Sequence, residues 1–236
     1  KRGVNLETIK QFRVGFAPDE WRSLSDFLTK KGVSESIMEK AGLVVRSQKG
    51  IYDRFRGRVM FPIADSSGRV IAFSGRVLSE DAGKTLGATA SAKYVNSPET
   101  EVFHKSRAMF GFYQAKEAMR REDSAVLVEG QMDLVMSHQA GVENTVASSG
   151  TALTSEHLTL IKRFTKNIIL ALDADDAGRA AVLRAIELAL SQEMEVFIVK
   201  LPLGRDPGDM ALENPILWKE SVKNKKSVIP YYIELL

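Results

Sequence analysis

Cysteine is absent from the 236 residues, which removes disulfides, cysteine nucleophiles and thiolate zinc sites and fits a reducing, cytoplasmic compartment. Histidine is scarce: His104, His138 and His157 are scattered, and a lone histidine is more often packed or hydrogen-bonded than catalytic. No apolar stretch approaches the roughly 18 residues that a membrane span requires, so a transmembrane protein is excluded. Neither sign of charge dominates. The 33 Lys+Arg against 30 Asp+Glu leave a net charge of +3, which permits a polyanionic partner without demanding one, so the distribution of charge carries the argument. The opening Lys1-Arg2-Gly3-Val4-Asn5 has neither an initiator Met nor an apolar signal region, and it reads as a cut inside a longer chain.

The length suits two modest subdomains. Asn5 is placed to cap a short helix through Lys10, and Trp21, Leu24, Phe27 and Leu28 share a spacing that predicts an apolar helical face. Ser34 is expected to cap a helix ending near Gly42. Val59–Ile63 and Val70–Phe73 then read as strands joined by a turn at Asp65-Ser66-Ser67-Gly68. Together these make a mixed α+β N-terminal subdomain, residues 1–122. Within it, Ser79 to Ala92 is rich in Gly, Ala, Ser and Thr and reads as a mobile loop.

Beyond Arg121 the order becomes regular. Strands at Ala125–Val128, Asn144–Ala147, Ile168–Leu172 and Val196–Leu201 alternate with helices near Met132–Ala140, Ser155–Arg163 and Ala177–Gln192. Short continuous apolar strands alternating with helices predict a parallel sheet covered on both faces, residues 123–212, followed by a helical segment, residues 213–236. In such sheets ligand groups collect at the carboxyl ends of the strands. Here those ends are acidic: Glu129-Gly130 after the first strand, Asp173-Ala174-Asp175-Asp176 after the third, and Asp206-Pro207-Gly208-Asp209 downstream of the fourth. Unneutralised carboxylates on one sheet edge would repel, whereas hard divalent cations take their oxygens as ligands. The pattern therefore calls for Mg²⁺ or Mn²⁺. Taken singly, Glu-Gly is a turn, Asp175 or Asp176 a helix cap, and Asp206-Pro207-Gly208-Asp209 ordinary turn chemistry. Their recurrence on successive strands is what argues for function.

Val126-Leu127-Val128-Glu129-Gly130-Gln131-Met132-Asp133, followed by Leu172-Asp173-Ala174-Asp175-Asp176-Ala177-Gly178-Arg179, resembles the TOPRIM fold of primases, topoisomerases and some nucleases. Upstream, Arg54-Phe55-Arg56-Gly57-Arg58-Val59-Met60-Phe61-Pro62-Ile63, Gly75-Arg76-Val77-Leu78, Lys93-Tyr94-Val95-Asn96-Ser97-Pro98-Glu99-Thr100 and Phe103-His104-Lys105 resemble DnaG-type primases specifically, and the likeness covers essentially the whole chain. The resemblance implies an α/β, TOPRIM-type parallel sheet with flanking helices, preceded by the mixed subdomain. It implies a nucleotidyltransferase that makes short RNA primers from ribonucleoside triphosphates on single-stranded DNA, at the bacterial replication fork. Glu129, Asp173, Asp175 and Asp206 match the family's metal-site acids, and Arg58, Arg76, Lys93 and Lys105 its basic nucleotide- and template-binding positions. Where the family commonly has its last acid this chain has Gly208, so Asp206 and Asp209 both stay in contention as ligands. The family's zinc domain needs cysteines, so no zinc is expected here, and its helicase-binding helices would lie beyond Leu236.

Two or more divalent ions would hold the attacking and leaving oxygens of an in-line displacement, with Glu129, Asp173 and Asp175 as ligands and Glu129 also a possible proton acceptor. Arg54, Arg56 and Arg58 alternate at what reads as the start of a strand, which would put them on one face for phosphate contacts. Arg107 adds to that basic set. Tyr52, Phe55 and Tyr94 lie among these residues as base-stacking or core candidates. A TOPRIM-type nuclease or a non-catalytic single-stranded DNA binding module are the competing readings.

Overall fold

The computed structural model describes residues 3–78, 92–172, 176–202 and 204–235. The stretch read as a loop, 79–91, lies outside them, as do Asp173 and Asp175. The chain forms two compact units, one of residues 9–64 and 69–104, the other of residues 1–8, 65–68 and 105–236.

The N-terminal unit is built by local capping and an antiparallel sheet. Helix α1 (Leu6–Gln11), whose first residues through Thr8 are counted with the other unit, starts where Asn5 Oδ1 accepts from Thr8 N at 2.8 Å, as its sequence predicts. Strand β1 (Gly15–Ala17) follows, then α2 (Ser23–Lys30) and α3 (Glu35–Lys40). Arg22 offers no side-chain cap to α2. Instead the buried Asp53 carboxylate reaches back across the sequence and accepts from Leu24 N at 2.6 Å and Ser25 N at 2.9 Å. Ser34 Oγ accepts from Ile37 N and caps α3. The expected apolar face of α2 is only partly realised: Leu24 and Leu28 are half-buried, while Phe27 is exposed and Trp21 precedes the helix, exposed as well.

Strands β2 (Val44–Ser47) and β3 (Gly50–Asp53) pair as a hairpin whose Val44 and Ile51 pack with Met38. Strands β4 (Arg58–Ala64), β5 (Val70–Val77) and β6 (Tyr94–Asn96) complete a sheet of order β1-β4-β5-β6. Pro62, which has no N–H to give, sits in β4 beyond the last residue that β1 pairs, Met60, so no donor is missed on that side.

In the C-terminal unit, α4 (Phe112–Glu122) begins at Gly111. That glycine has φ +77°, and an added Cβ would lie 2.4 Å from Leu134 Cδ1, so only glycine serves there. Strand β7 (Ala125–Val128), α5 (Gln131–Gln139), β8 (Thr145–Ala147), α6 (Ser155–Lys162), β9 (Asn167–Leu170), α7 (Asp176–Ser191) and β10 (Glu195–Ile198) follow in strict alternation. Helices α8 (Pro207–Glu213) and α9 (Pro215–Lys223), the short strand β11 (Lys226–Ser227) and α10 (Val228–Leu235) end the chain.

The sheet order is β11-β10-β9-β7-β8, parallel except for β11. Every residue of β7 and β8 is buried, as expected of strands covered on both faces. Phe112, Ala115 and Met119 of α4 join Leu158 and Ile161 of α6 and Ile186 and Ala189 of α7 in that core. For this reason the division between the units falls at Lys105, ahead of α4, rather than after it. Among the described residues no helix is long and apolar enough to cross a membrane.

Candidate active site

The apolar run of β7 ends at Glu129, half-buried at the carboxyl end of a strand flanked by β8 and β9. Its carbonyl accepts from Ser149 N at 3.0 Å, which ties the strand end to the loop after β8. Ser149 itself has φ 56°, a conformation that costs a non-glycine residue energy and is often found beside functional groups. Gly130 starts α5 and donates its N–H to Asp133 Oδ2 at 3.0 Å. Asp133 stands four residues after Glu129 and was given no role from sequence. Its one local signal is an acid in the first turn of a helix, which an ordinary cap explains equally well.

Helix α8 packs on α5. It opens with Asp206, whose Oδ1 accepts from Asp209 N at 2.6 Å, and with Pro207 at the first helical position, where its missing N–H costs nothing. What read as turn chemistry is thus a helix start. The fit between the helices is made at Gly208: a Cβ there would lie 2.8 Å from Asp133 Oδ1 and 3.3 Å from Asp206 Oδ1. The glycine that replaces the expected acid therefore leaves room where a Cβ would meet the carboxylates of both Asp133 and Asp206. Asp209 lies in the first turn of α8, and Arg205 nearby is ion-paired with Glu213. Among the described residues no three acids or histidines come together as a metal cage. The remaining expected ligands, Asp173 and Asp175, lie outside the described residues.

In the N-terminal unit the basic residues gather around β5 and β6. Arg58 begins β4 and is buried, donating to Gly75 O at 3.1 Å and Ala92 O at 3.0 Å. Burial, and then the charge of Arg56, hold its pKa below the ordinary value. Arg54 donates to Asn96 O through Nε and Nη2, and burial lowers its pKa too. Arg76 is half-buried on β5, with its guanidinium 5.3 Å from the Tyr94 ring centroid, and Lys93 is exposed, its carbonyl accepting from Val77 N.

The expected one-faced alternation of arginines does not form, because only Arg58 lies in the strand. Arg56, in the link before β4, is 7% exposed. Its guanidinium stacks 4.2 Å from the Trp21 ring centroid and 5.1 Å from that of Tyr52, and Nη1 donates to Asp53 O. Phe55 is buried against Phe73 as a core residue. Lys105 and Arg107 belong to the C-terminal unit, Lys105 half-buried and Arg107 exposed.

Residues 1–116 match the family described as DNA primase catalytic core, N-terminal domain, and residues 126–211 the family described as Toprim-like. The RNA polymerase domain of Mycobacterium tuberculosis primase DnaG superposes with a TM-score of 0.89 at 35% identity, over 99% of this chain and 76% of that one. This chain belongs to the DnaG primase family. The DnaG primase catalytic domain bound to single-stranded DNA superposes with a TM-score of 0.86 at 36% identity, over 99% of this chain and 72% of that one. The DNA primase of Clostridium acetobutylicum is 39% identical over 98% of this chain, which spans 37% of that protein's length. The parallel sheet is thus of TOPRIM type, and the N-terminal unit is the DnaG companion to it.

Proposed function

We propose that this chain is the polymerising core of a bacterial DNA primase, which joins ribonucleotides into a short RNA primer on a single-stranded DNA template. One observation carries the reading: a chain that matches DnaG catalytic cores along its length has Glu129 at the end of an interior parallel strand, and Asp133 and Asp206 both close to the Cβ position of Gly208. The single-stranded DNA in the related catalytic domain supports the choice of template.

Primer growth forms a bond between a 3′-oxygen and an α-phosphorus and breaks the bond to pyrophosphate. Divalent cations, when bound, supply neutralisation of phosphate charge and alignment of the attacking and leaving oxygens. An all-oxygen donor set without sulfur suits Mg²⁺ or Mn²⁺. Glu129, Asp173 and Asp175 are assigned to hold them. Asp206 is favoured over Asp209 to complete the set, because its carboxylate and that of Asp133 share the space beside the Gly208 Cβ position and its cap to Asp209 N uses only one carboxylate oxygen. Glu129 is also assigned to accept the proton of the 3′-hydroxyl.

Lys93 and Lys105 are assigned to the triphosphate of the incoming nucleotide, and Arg76 and Arg54 to the phosphates of the template strand, contacts that carry no sequence information. Arg58 and Arg56, expected among the phosphate contacts, are buried and hold the carbonyls of Gly75, Ala92 and Asp53, so they are assigned to fixing the backbone of the N-terminal unit. A replicative helicase partner, engaged through a region outside these residues, and a place at the replication fork in the cytoplasm complete the reading.

The test is incorporation of labelled ribonucleotides on single-stranded DNA with Mg²⁺ or Mn²⁺, for the wild type and for Glu129→Gln. Template-dependent short RNA that disappears in the variant is the expected result. Cleavage of the template without synthesis would make the protein a nuclease, and binding without either would make it a single-strand binding module.

A further inference from the structure

His157 is a fully buried titratable group that the chemistry above does not use: it is 0% exposed, at the third position of α6. Thr154-Ser155-Glu156-His157 has the spacing of a capping box, but with histidine where Glu or Gln is usual. The box forms: Thr154 Oγ1 accepts from His157 N at 3.1 Å, and Thr154 N donates to His157 Nδ1 at 3.4 Å. A glutamate there would have only acceptors, whereas a neutral imidazole accepting at Nδ1 carries its proton at Nε2. That proton is used, since Nε2 lies 3.0 Å from the Lys105 carbonyl. The Thr154 hydroxyl, accepting from His157 N, gives its own proton to the Ser106 carbonyl at 2.6 Å. Two consecutive carbonyls are therefore clamped to one helix start. A few residues on, Phe110 exchanges both backbone hydrogen bonds with Ala147 of β8, at 3.1 Å each, so the segment is fixed at its far end as well.

From this geometry we infer that His157 is a positioning residue for Lys105: with Thr154 it fixes the backbone from which the Lys105 ammonium reaches the incoming nucleotide. The inference rests on the assignment of Lys105 made above. A lysine on a flexible four-carbon stem binds a phosphate as a point charge, so its reach is set by where its Cα is held. Burial lowers the His157 pKa against the opposing effect of the Lys105 and Ala108 carbonyls, which keeps the ring in the neutral form that the clamp requires.

The test compares His157→Phe, which keeps an aromatic ring but loses both ring hydrogen bonds, His157→Gln, which restores the usual capping residue with a donor and an acceptor, Lys105→Ala, and Lys105→Ala combined with His157→Phe. Primer synthesis is measured against ribonucleotide concentration. A misplacement of 1 Å costs roughly 100-fold, so a smaller shift in His157→Phe should lower kcat/KM by about tenfold. His157→Gln should recover most of that loss, and on the Lys105→Ala background His157→Phe should change kcat/KM less than about twofold, since sites that act as a unit are not additive.

Ile186→Val, a core trim of α7 away from the clamp, controls for stability and should leave kcat/KM unchanged below its melting transition. If His157→Phe does not fold, Thr154→Val removes the Ser106 contact and is expected to show the same non-additivity. A full additional loss on the Lys105→Ala background would overturn the positioning role while leaving Lys105 in place. An unchanged Lys105→Ala enzyme would overturn both the inference and the assignment beneath it.

Discussion

Replacing Gly208 by Ala tests the packing that brings Asp133 and Asp206 together. The new methyl carbon would lie 2.8 Å from Asp133 Oδ1, 3.3 Å from Asp133 Cα and 3.3 Å from Asp206 Oδ1. Gly208 is helical and is not among the residues of positive φ, so the contacts alone decide the outcome. Two routes of relief exist. Turning Asp133 away breaks its bond to Gly130 N, and losing a helix cap of that kind costs about 0.5–2 kcal/mol. Parting α8 from α5 instead is an overpacking strain of about 1–3 kcal/mol. At roughly 2–4 °C per kcal/mol for a chain of this size, the melting temperature should fall by about 1–12 °C.

Parting the helices moves Asp206, which is assigned to the metal site, and turning Asp133 away moves the carboxylate beside it. Incorporation well below the transition should therefore weaken, and the Mg²⁺ concentration for half-maximal rate should rise. In an Asp133→Ala background the closest contact is gone, so the same methyl should cost less than half as much. Thermal melts and Mg²⁺ titrations of the two single variants and the double variant measure all of this. A Gly208→Ala protein with an unchanged melting temperature and unchanged Mg²⁺ dependence would refute the packing described here.

Asp173→Asn and Asp175→Asn are each expected to abolish incorporation while leaving the melting temperature equal or higher, because each removes a ligand charge and some carboxylate repulsion; near-normal turnover at saturating Mg²⁺ would defeat the metal assignment. Arg58→Ala should act first on stability: it leaves the carbonyls of Gly75 and Ala92 without their charged donor, a loss of about 3–6 kcal/mol when hydrogen bonds to charged groups contribute roughly 1.5–3 kcal/mol each. Denaturant unfolding reads that loss directly. Lys93→Ala, on an exposed side chain, should raise the apparent KM for the ribonucleotide with little change in melting temperature. His138 and His157 both have pKa values lowered from the ordinary 6.5, by burial first. Below pH 6.5 the unfolded chain then binds protons that the folded one refuses, so the unfolding free energy should be fully present above that pH and decline beneath it, by at most about 1.4 kcal/mol per histidine per pH unit. Urea unfolding across pH 5 to 8 tests this sign.

The alternating half of the chain was readable because its signals are local. Runs such as Ala125–Val128 and Ile168–Leu170 are apolar without a break, and each helix between the strands has caps or periodicity of its own. Helix α4 was not read, since its buried residues Phe112, Ala115 and Met119 are interleaved with Lys, Glu and Arg and its start depends on the left-handed backbone of Gly111. The exposed Trp21 was misread for a related reason: helical spacing cannot reveal that the ring's partner is Arg56, far along the chain. At the site, Glu129 and Asp206 were legible as acids following strands. The neighbourhood of Asp133 and Asp206 was not, because it is made by a glycine and a helix–helix contact that no local pattern encodes.

The short strand β11 has a consequence for self-association. A parallel sheet ends in open rows of N–H and C=O groups, and an unprotected edge is a template on which another chain can add a strand. Here β10 pairs on its outer side with Lys226-Ser227, an antiparallel stub too short to propagate, exposed at both residues and flanked by Lys225, whose ammonium lies 5.2 Å from the Phe197 ring centroid. At the opposite margin, Phe110 makes the paired bridge to Ala147 that occupies the free side of β8. Two residues of β10 and one of β8 are thus paired on their outer sides by residues of the same chain, which shortens the open edge on which a second copy could add a strand.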